Sequence, residues 1–244
     1  MTTIRLAAVA DLHCRIDRSG VLAPVFARAA EDADVLALCG DLTDYGTPEE
    51  ARQLAVELDA ARGLPMVGVL GNHDYESGNA EQVREILDAA GLRLLDGEAW
   101  SVRGVGFAGV KGFAGGFGRA MLRPWGEAAI KAFAGEAVEE AEKLERALAA
   151  LDDEQRVVLM HYAPVEGTLQ GEPREIFPYL GTSRLEAAVH TRAVSMVIHG
   201  HAHHGAPMSE TSRHVPVYNV AMPLLQQLAP ELPPFRIFEL PVAS

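Results

Sequence analysis

The chain is poor in cysteine: Cys14 and Cys39 are the only two thiols in 244 residues. Two cysteines allow at most one bridge, and Cys39 closes an apolar stretch where a small buried thiol is the ordinary state, so a disulfide framework is excluded. Long apolar runs are also missing, with none near the about 18 residues a membrane helix requires. The opening MTTIRL leads straight into a strand-like stretch without the profile of a signal peptide. Neither a membrane nor an export partner is therefore expected, and the chain reads as cytoplasmic. Basic residues are scarce too, 21 Lys and Arg against 34 Asp and Glu, for a formal net charge of −13. This charge repels polyanions at long range and disfavours a nucleic-acid reader with a broad basic face. Small phosphates escape that exclusion, because bound cations can reverse the sign of a site locally. A hydrophobic content of 48% is enough for a sizeable core, and a single domain over residues 1–244 is expected.

What the chain does contain is five short polar runs: DLH at 11–13, GDLTD at 40–44, GNHD at 71–74, HYAP from His161 and HGHAH at 199–203. They combine carboxylate and amide oxygens with imidazole nitrogens. That mixture suits Mn, Fe, Co, Ni or Zn rather than a calcium cage made only of oxygens. Each run follows a stretch that reads as a buried strand, at 4–10, 35–39, 66–70, 157–160 and 193–198. Open α/β sheets bind ligands beyond the carboxyl ends of their strands, so the five runs are expected to collect at one end of a sheet.

Between the strands, Thr47 caps a helix with Pro48 just inside and Glu49 and Glu50 in its first turn; its apolar residues recur through Leu54 and Leu58. Gly63 and Pro65 end it, and residues 81–90 read as the next helix before Gly91. The order so far is βαβαβα, the pattern of a parallel sheet. From residue 99 the pattern changes to short strands at 100–103 and 105–110 with Gly-rich turns, suggesting antiparallel pairing on a second sheet. A long helix is expected over 128–151, a shorter one over 183–190, and further strands at 215–220 and 235–240. Segment 99–126 holds Arg103, Lys111, Arg119 and Arg123 and no acidic residue. It reads either as a hairpin followed by a surface loop or as a basic lip that helps hold substrate phosphate. Of its aromatics Phe113, Phe117 and Trp125, at least two are expected in the core.

Two adjacent cations can clamp the attacking and leaving oxygens of an in-line displacement at phosphorus, and they need a bridging ligand. Asp41, after a strand and after a glycine that lets the backbone turn tightly, is the candidate bridge. Asp11 and His13 are expected to hold one metal with His203, and Asn72, His161 and His201 the other. His73 is left free to donate a proton to the leaving oxygen, and Asp74 is expected to fix its tautomer. Asp44 either supports a metal-ligating histidine or caps its loop. His190 and His214 read as surface residues, His199 as a residue that packs or supports a neighbour, and His204 and Cys14 as neighbours of ligands without a role of their own.

Taken together, DLH, GDLTD, GNHD, the isolated His161 and GHAH resemble the calcineurin-like metallophosphoesterase family, over nearly the whole span from Asp11 to His203. The resemblance implies an α/β four-layer αββα sandwich, two mixed sheets flanked by helices. It also implies a dinuclear centre with a hydroxide between the metals as nucleophile, and it supports the roles given above to the ligands and to His73. Purple acid phosphatases carry Tyr where this chain has Asp44, and the lipid-A enzymes of the family carry Arg where it has His73, so neither branch fits. GDLTDYGTPEE is similar to the small bacterial cyclic-nucleotide phosphodiesterases, although HYAP lacks the second His of their HHPP. The expectation is hydrolysis of a small phosphorylated substrate, with phosphodiesters, cyclic nucleotides among them, favoured over monoesters. The alternatives are a catalytically silent scaffold of the same fold and a nuclease. A homodimer is left open.

Overall fold

The structure is a computed structural model that describes residues 2–242; the remaining ends of the domain expected over 1–244 lie outside the described residues. The first half runs β1 (Thr2–Val9), α1 (Ala23–Asp32), β2 (Val35–Cys39), α2 (Pro48–Leu58), β3 (Met66–Val69), α3 (Ala80–Ala89) and β4 (Leu92–Leu94). The second half runs β5 (Glu98–Val102), β6 (Val105–Gly109), α4 (Ala128–Ala149), β7 (Gln155–Leu159), α5 (Phe177–Leu180), α6 (Ser183–Val189), β8 (Met196–His199), β9 (Met208–Glu210), β10 (Pro216–Asn219), α7 (Met222–Leu228) and β11 (Arg236–Val242).

Two sheets result, in the orders β11-β1-β2-β3-β4 and β5-β6-β7-β8-β10-β9. In the first, β1 to β4 are parallel and β11 returns antiparallel along β1. In the second, β6, β7, β8 and β10 are parallel, with β5 and β9 antiparallel at the edges. Both sheets are mixed, as the resemblance implies, and β5 and β6 form the antiparallel pair expected on the second sheet.

Alternation along the strands builds the layers. Leu36 and Leu38 of β2 pack toward Phe26, Leu54 and Leu87 of the three flanking helices, while Val35, Ala37 and Cys39 face the second sheet. Both faces of β2 are covered, which is why all five of its residues are apolar. Between the sheets, Leu6 and Val67 meet Phe107, Val157 and Ile198. On the outer face of the second sheet, Val158 and Val197 pack against Leu144, Leu148 and Leu185 of α4 and α6. The order of layers is helix, sheet, sheet, helix.

The capping expected at Thr47 is present and reciprocal: its hydroxyl accepts from the Glu50 amide and Glu50 accepts from the Thr47 amide. The amino end of α1 carries no side-chain cap of its own. Glu57, on α2, accepts hydrogen bonds from the amides of Gly20, Leu22 and Ala23 and so caps it from 34 to 37 residues away. Segment 99–126 divides. Arg103 sits in the hairpin turn after β5, Lys111 is buried with its ammonium bonded to the Gly112 carbonyl, and Arg119 and Arg123 are exposed. Phe113 and Phe117 join apolar clusters, whereas Trp125 is 72% exposed.

Candidate metal centre

The five polar runs meet at one end of the molecule, but not at the edge of one sheet as the strand-end reasoning expected. Asp11, Asp41 and Asn72 follow β1, β2 and β3 of the first sheet, and His161, His201 and His203 follow β7 and β8 of the second. Packing the sheets face to face brings both sets of carboxyl ends together, so each sheet supplies part of the site.

The backbone at these ends is under constraint. Six non-glycine residues of the described chain have positive φ, and four of them are Asp11 (57°), His13 (43°), Asp41 (49°) and His201 (71°). Each such residue costs about 1–3 kcal/mol and persists where the surroundings over-determine it. Here the surroundings are a ladder of amides. Asp11, His13 and Cys14 donate to the carbonyls of Gly40, Asp41 and Leu42, His161 donates to that of Lys111, and Gly200 to that of His161. Motif glycines permit the close approach. A Cβ on Gly71 would overlap the Asp41 amide and carboxylate, one on Gly40 (φ +89°) the His161 ring, and one on Gly200 an Asp11 oxygen.

Asp41 lies at the middle. Its Oδ1 is 3.3 Å from His161 Nε2, and its Oδ2 is 3.9 Å from His13 Nε2 and 4.0 Å from His73 Nε2. The two oxygens thus face different groups of nitrogens. Asp11 Oδ1 accepts from His203 Nε2 at 2.9 Å, and Asn72 Oδ1 is 3.0 Å from His161 Nε2. The rings of His161 and His201 are 4.7 Å apart. Three clusters follow, Asp11–His13–His203, His13–Asp41–His73 and Asp41–His161–His201, each with one ligating atom per residue within 4.8 Å of the others. Backbone amides hold both carboxylates in place: His73 N donates to Asp41 Oδ1 at 2.9 Å, and His201 N to Asp11 Oδ2 at 2.9 Å.

Without a cation, the cluster's carboxylates are offset by protons on its histidines, His203 being raised by its hydrogen bond to Asp11. Burial pushes Asp41 and Asp11 up, yet the neighbouring histidines outweigh it and hold both carboxyls below the usual range. Burial alone would lower His161; Asp41, then Asp11, instead raise it to about 9. His201 is lowered to about 3 by burial and by the charge of His161. Burial also lowers His13, and neither of its ring nitrogens has a hydrogen-bond partner. A half-buried imidazole whose two nitrogens lack hydrogen-bond partners, within a mixed oxygen and nitrogen set, is the chemistry of a divalent metal ligand.

Two neighbours sort differently from the sequence reading. Asp74 does not touch the His73 ring, which corrects the expectation that it fixes the tautomer. Its carboxylate turns the other way and accepts from the amides of Leu42, Thr43 and Gly71 and from the Thr43 hydroxyl. Adjacent residues in a 3-10 turn point in different directions, so sequence neighbours need not share a target. Burial and the charge of Asp41 push this carboxyl to about 6, against the pull of those donors. The His73 ring is oriented instead by Asp44, whose backbone carbonyl lies 2.7 Å from Nδ1. Asp44 also places Oδ1 3.3 Å from His13 Nδ1, a charge contact without hydrogen-bond geometry.

Of the remaining residues, His199 is buried between the Thr168 hydroxyl and the Gly200 carbonyl, and His204 and His214 are exposed. His190 is half-buried at the end of α6 rather than on the open surface. Cys14 and Cys39 are both buried and unpaired. Tyr162 and Tyr179 were not singled out in sequence. The Tyr162 ring lies 4.5 Å from that of His201 at a tilt of 51°, and the Tyr179 carbonyl lies 3.4 Å from His201 Nε2. Tyr162 directly follows His161, a signal that was available; Tyr179 had none.

A family model described as calcineurin-like phosphoesterase matches residues 4–205. No curated protein matches the chain. Among solved structures, phosphopantetheinyl hydrolase (PptH) from Mycobacterium tuberculosis is similar at 16% identity and a TM-score of 0.67, covering 96% of this chain and 95% of that one. The protein TT1561 of Thermus thermophilus is similar at 18% identity and a TM-score of 0.65, covering 97% and 99%. Purple acid phosphatase PPD1 from yellow lupin (Lupinus luteus) is similar at 15% identity and a TM-score of 0.55, covering 83% of this chain and 38% of that one. At these identities the likeness is one of fold. No helix of the described residues is long and apolar enough to cross a membrane.

Proposed function

Since the chain belongs to the calcineurin-like phosphoesterase family, whose members are generally dinuclear metal hydrolases of phosphate esters, we propose that it cleaves small phosphoesters, with phosphodiesters preferred, at the cluster around Asp41. Asp11, His13 and His203 would hold one divalent cation and Asn72, His161 and His201 another, with Asp41 between them. When bound, such a pair supplies Lewis-acid charge and lowers the pKa of water.

The protein's own contribution is placement. The amides of His73 and His201 fix the two carboxylates, so the oxygens are held before any ligand arrives. The Asp44 carbonyl accepts from Nδ1 of His73, which sets the ring so that Nε2 faces the cluster, 4.0 Å from Asp41 Oδ2. From there His73 donates a proton to the departing alcohol oxygen. Its ring is 35% exposed, at the rim where a leaving group would emerge. Asp74 acts through the loop and not on the substrate.

The observation that carries this reading is the convergence of six ligand-type side chains from two sheets on the buried Asp41, with Asp11, His13, His201 and Asp41 itself held at positive φ. A silent scaffold has no reason to keep that strain together with His73. The test is Mn-dependent hydrolysis of bis(4-nitrophenyl) phosphate, with Asp41→Ala and His161→Ala as variants. Turnover that requires Mn and disappears in both variants is expected; full turnover in either variant would overturn the proposal.

A further inference from the structure

A cavity of about 330 Å³ opens beside the cluster and shares Asp11, His13 and Asp44 with it. None of the steps above uses it. Its volume lies at the lower end of the range for small-molecule sites, about 300–1,000 Å³. Leu12, Leu22, Met222 and Pro223 give it an apolar side. Val21, also on its lining, is 61% exposed and available to pack on a guest.

Two cations, Arg15 and Arg18, complete it. In a chain with net charge −13 this is a local exception. Arg15 is engaged, 2.9 Å from Asp17 and 3.5 Å from Asp44. Arg18 is exposed, and among the described residues no carboxylate pairs with its guanidinium. Gln226 faces the same space from α7, with no side-chain hydrogen bond among the described residues. The cavity therefore has an apolar body, an unpaired cation at its rim and an amide, all next to the cluster that would hold the reacting phosphate.

We propose that this cavity binds the organic substituent of the substrate and that Arg18 reads a second anionic group on it, carboxylate or phosphate. The substrate class is thus a phosphoester whose small, partly apolar alcohol carries another negative charge. The inference rests on the phosphoesterase reading for the position of the first phosphate. Arg15 is a positioning residue here, since it reaches His13 only through Asp44.

The test is titration calorimetry on the Mn-loaded protein with three probes: phenylphosphonate, 3-carboxyphenylphosphonate and 1,3-phenylenediphosphonate. At least one of the two doubly anionic probes is expected to bind about tenfold tighter than phenylphosphonate, as a charged hydrogen bond provides. Which of them gains more distinguishes carboxylate from phosphate. Arg18→Ala, at an exposed site where folding is not at risk, removes the preference, and Arg18→Lys keeps part of it as a point charge. Val21→Trp, which fills the cavity, weakens all three. Equal affinities in the wild type, no binding of any probe, or a preference that survives Arg18→Ala would overturn the subsite. Loss of Mn-dependent turnover of bis(4-nitrophenyl) phosphate strikes the phosphoesterase reading instead, so the two failures are distinguishable.

Discussion

Lowering the pH should loosen metal binding in a defined way, because the metal-free site holds a proton where a cation belongs. His161 is buried, which by itself would lower its pKa, but Asp41 Oδ1 at 3.3 Å and the charge of Asp11 raise it from 6.5 to about 9. At neutral pH the metal-free protein therefore carries about one proton on this ring, and a ligating imidazole must lose it. Apparent affinity should tighten about tenfold per pH unit up to about pH 9, and level off above. The sign for metal-free stability runs the other way. A raised histidine pKa contributes fully below 6.5, and that contribution is lost as pH rises through about 9. Calorimetry in two buffers of different ionisation enthalpy reads the released proton directly. Imidazole resonances of the metal-free protein give the second readout: His161 titrates near 9 in the wild type and falls in Asp41→Asn, where only the charge of Asp11 and the Cys39 carbonyl still oppose burial. A wild-type His161 that titrates below 6.5, or metal affinity indifferent to pH, would refute this account of the site's charge.

His73→Ala should lower kcat about 10²- to 10⁴-fold while metal content, measured by elemental analysis, stays at the wild-type level; parallel loss of metal would make His73 a ligand. Gly71→Ala drives a methyl into the Asp41 amide and carboxylate, so thermal unfolding should report about 1–3 kcal/mol of destabilisation together with reduced metal content. Asp74→Ala removes the acceptor for three amides and a hydroxyl. It should cost about 3–5 kcal/mol in denaturant unfolding, and a stable variant with only kcat reduced would return Asp74 to a catalytic role.

Strand ends were readable because the chemistry is local there: an apolar run stops and a metal-type side chain follows within two or three residues, as at Asp11, Asp41 and His161. The βαβ order and the Thr47 cap were legible for the same reason. What could not be read was pairing across distance. Glu57 caps α1 from another helix, Asp74 serves a loop 31 or 32 residues away, and the Asp44 carbonyl holds a ring 29 residues away. A backbone carbonyl has no residue type to betray it, and local sequence does not show which way a turn aims a side chain. Lys111 illustrates the same limit from the charge side. Its place in a basic, Gly-rich segment left a surface loop and a phosphate-holding lip equally open, but the end of β6 delivers it to a buried position 3.8 Å from Glu136.

The central claim is that Asp41 joins two cation sites built from different sheets. Anomalous diffraction from Mn-soaked crystals measures this most directly. Two peaks about 3.5–4 Å apart, one among Asp11, His13 and His203, the other among Asn72, His161 and His201, with an Asp41 oxygen against each, are predicted. A single peak, or two peaks that leave Asp41 uncoordinated, would contradict it.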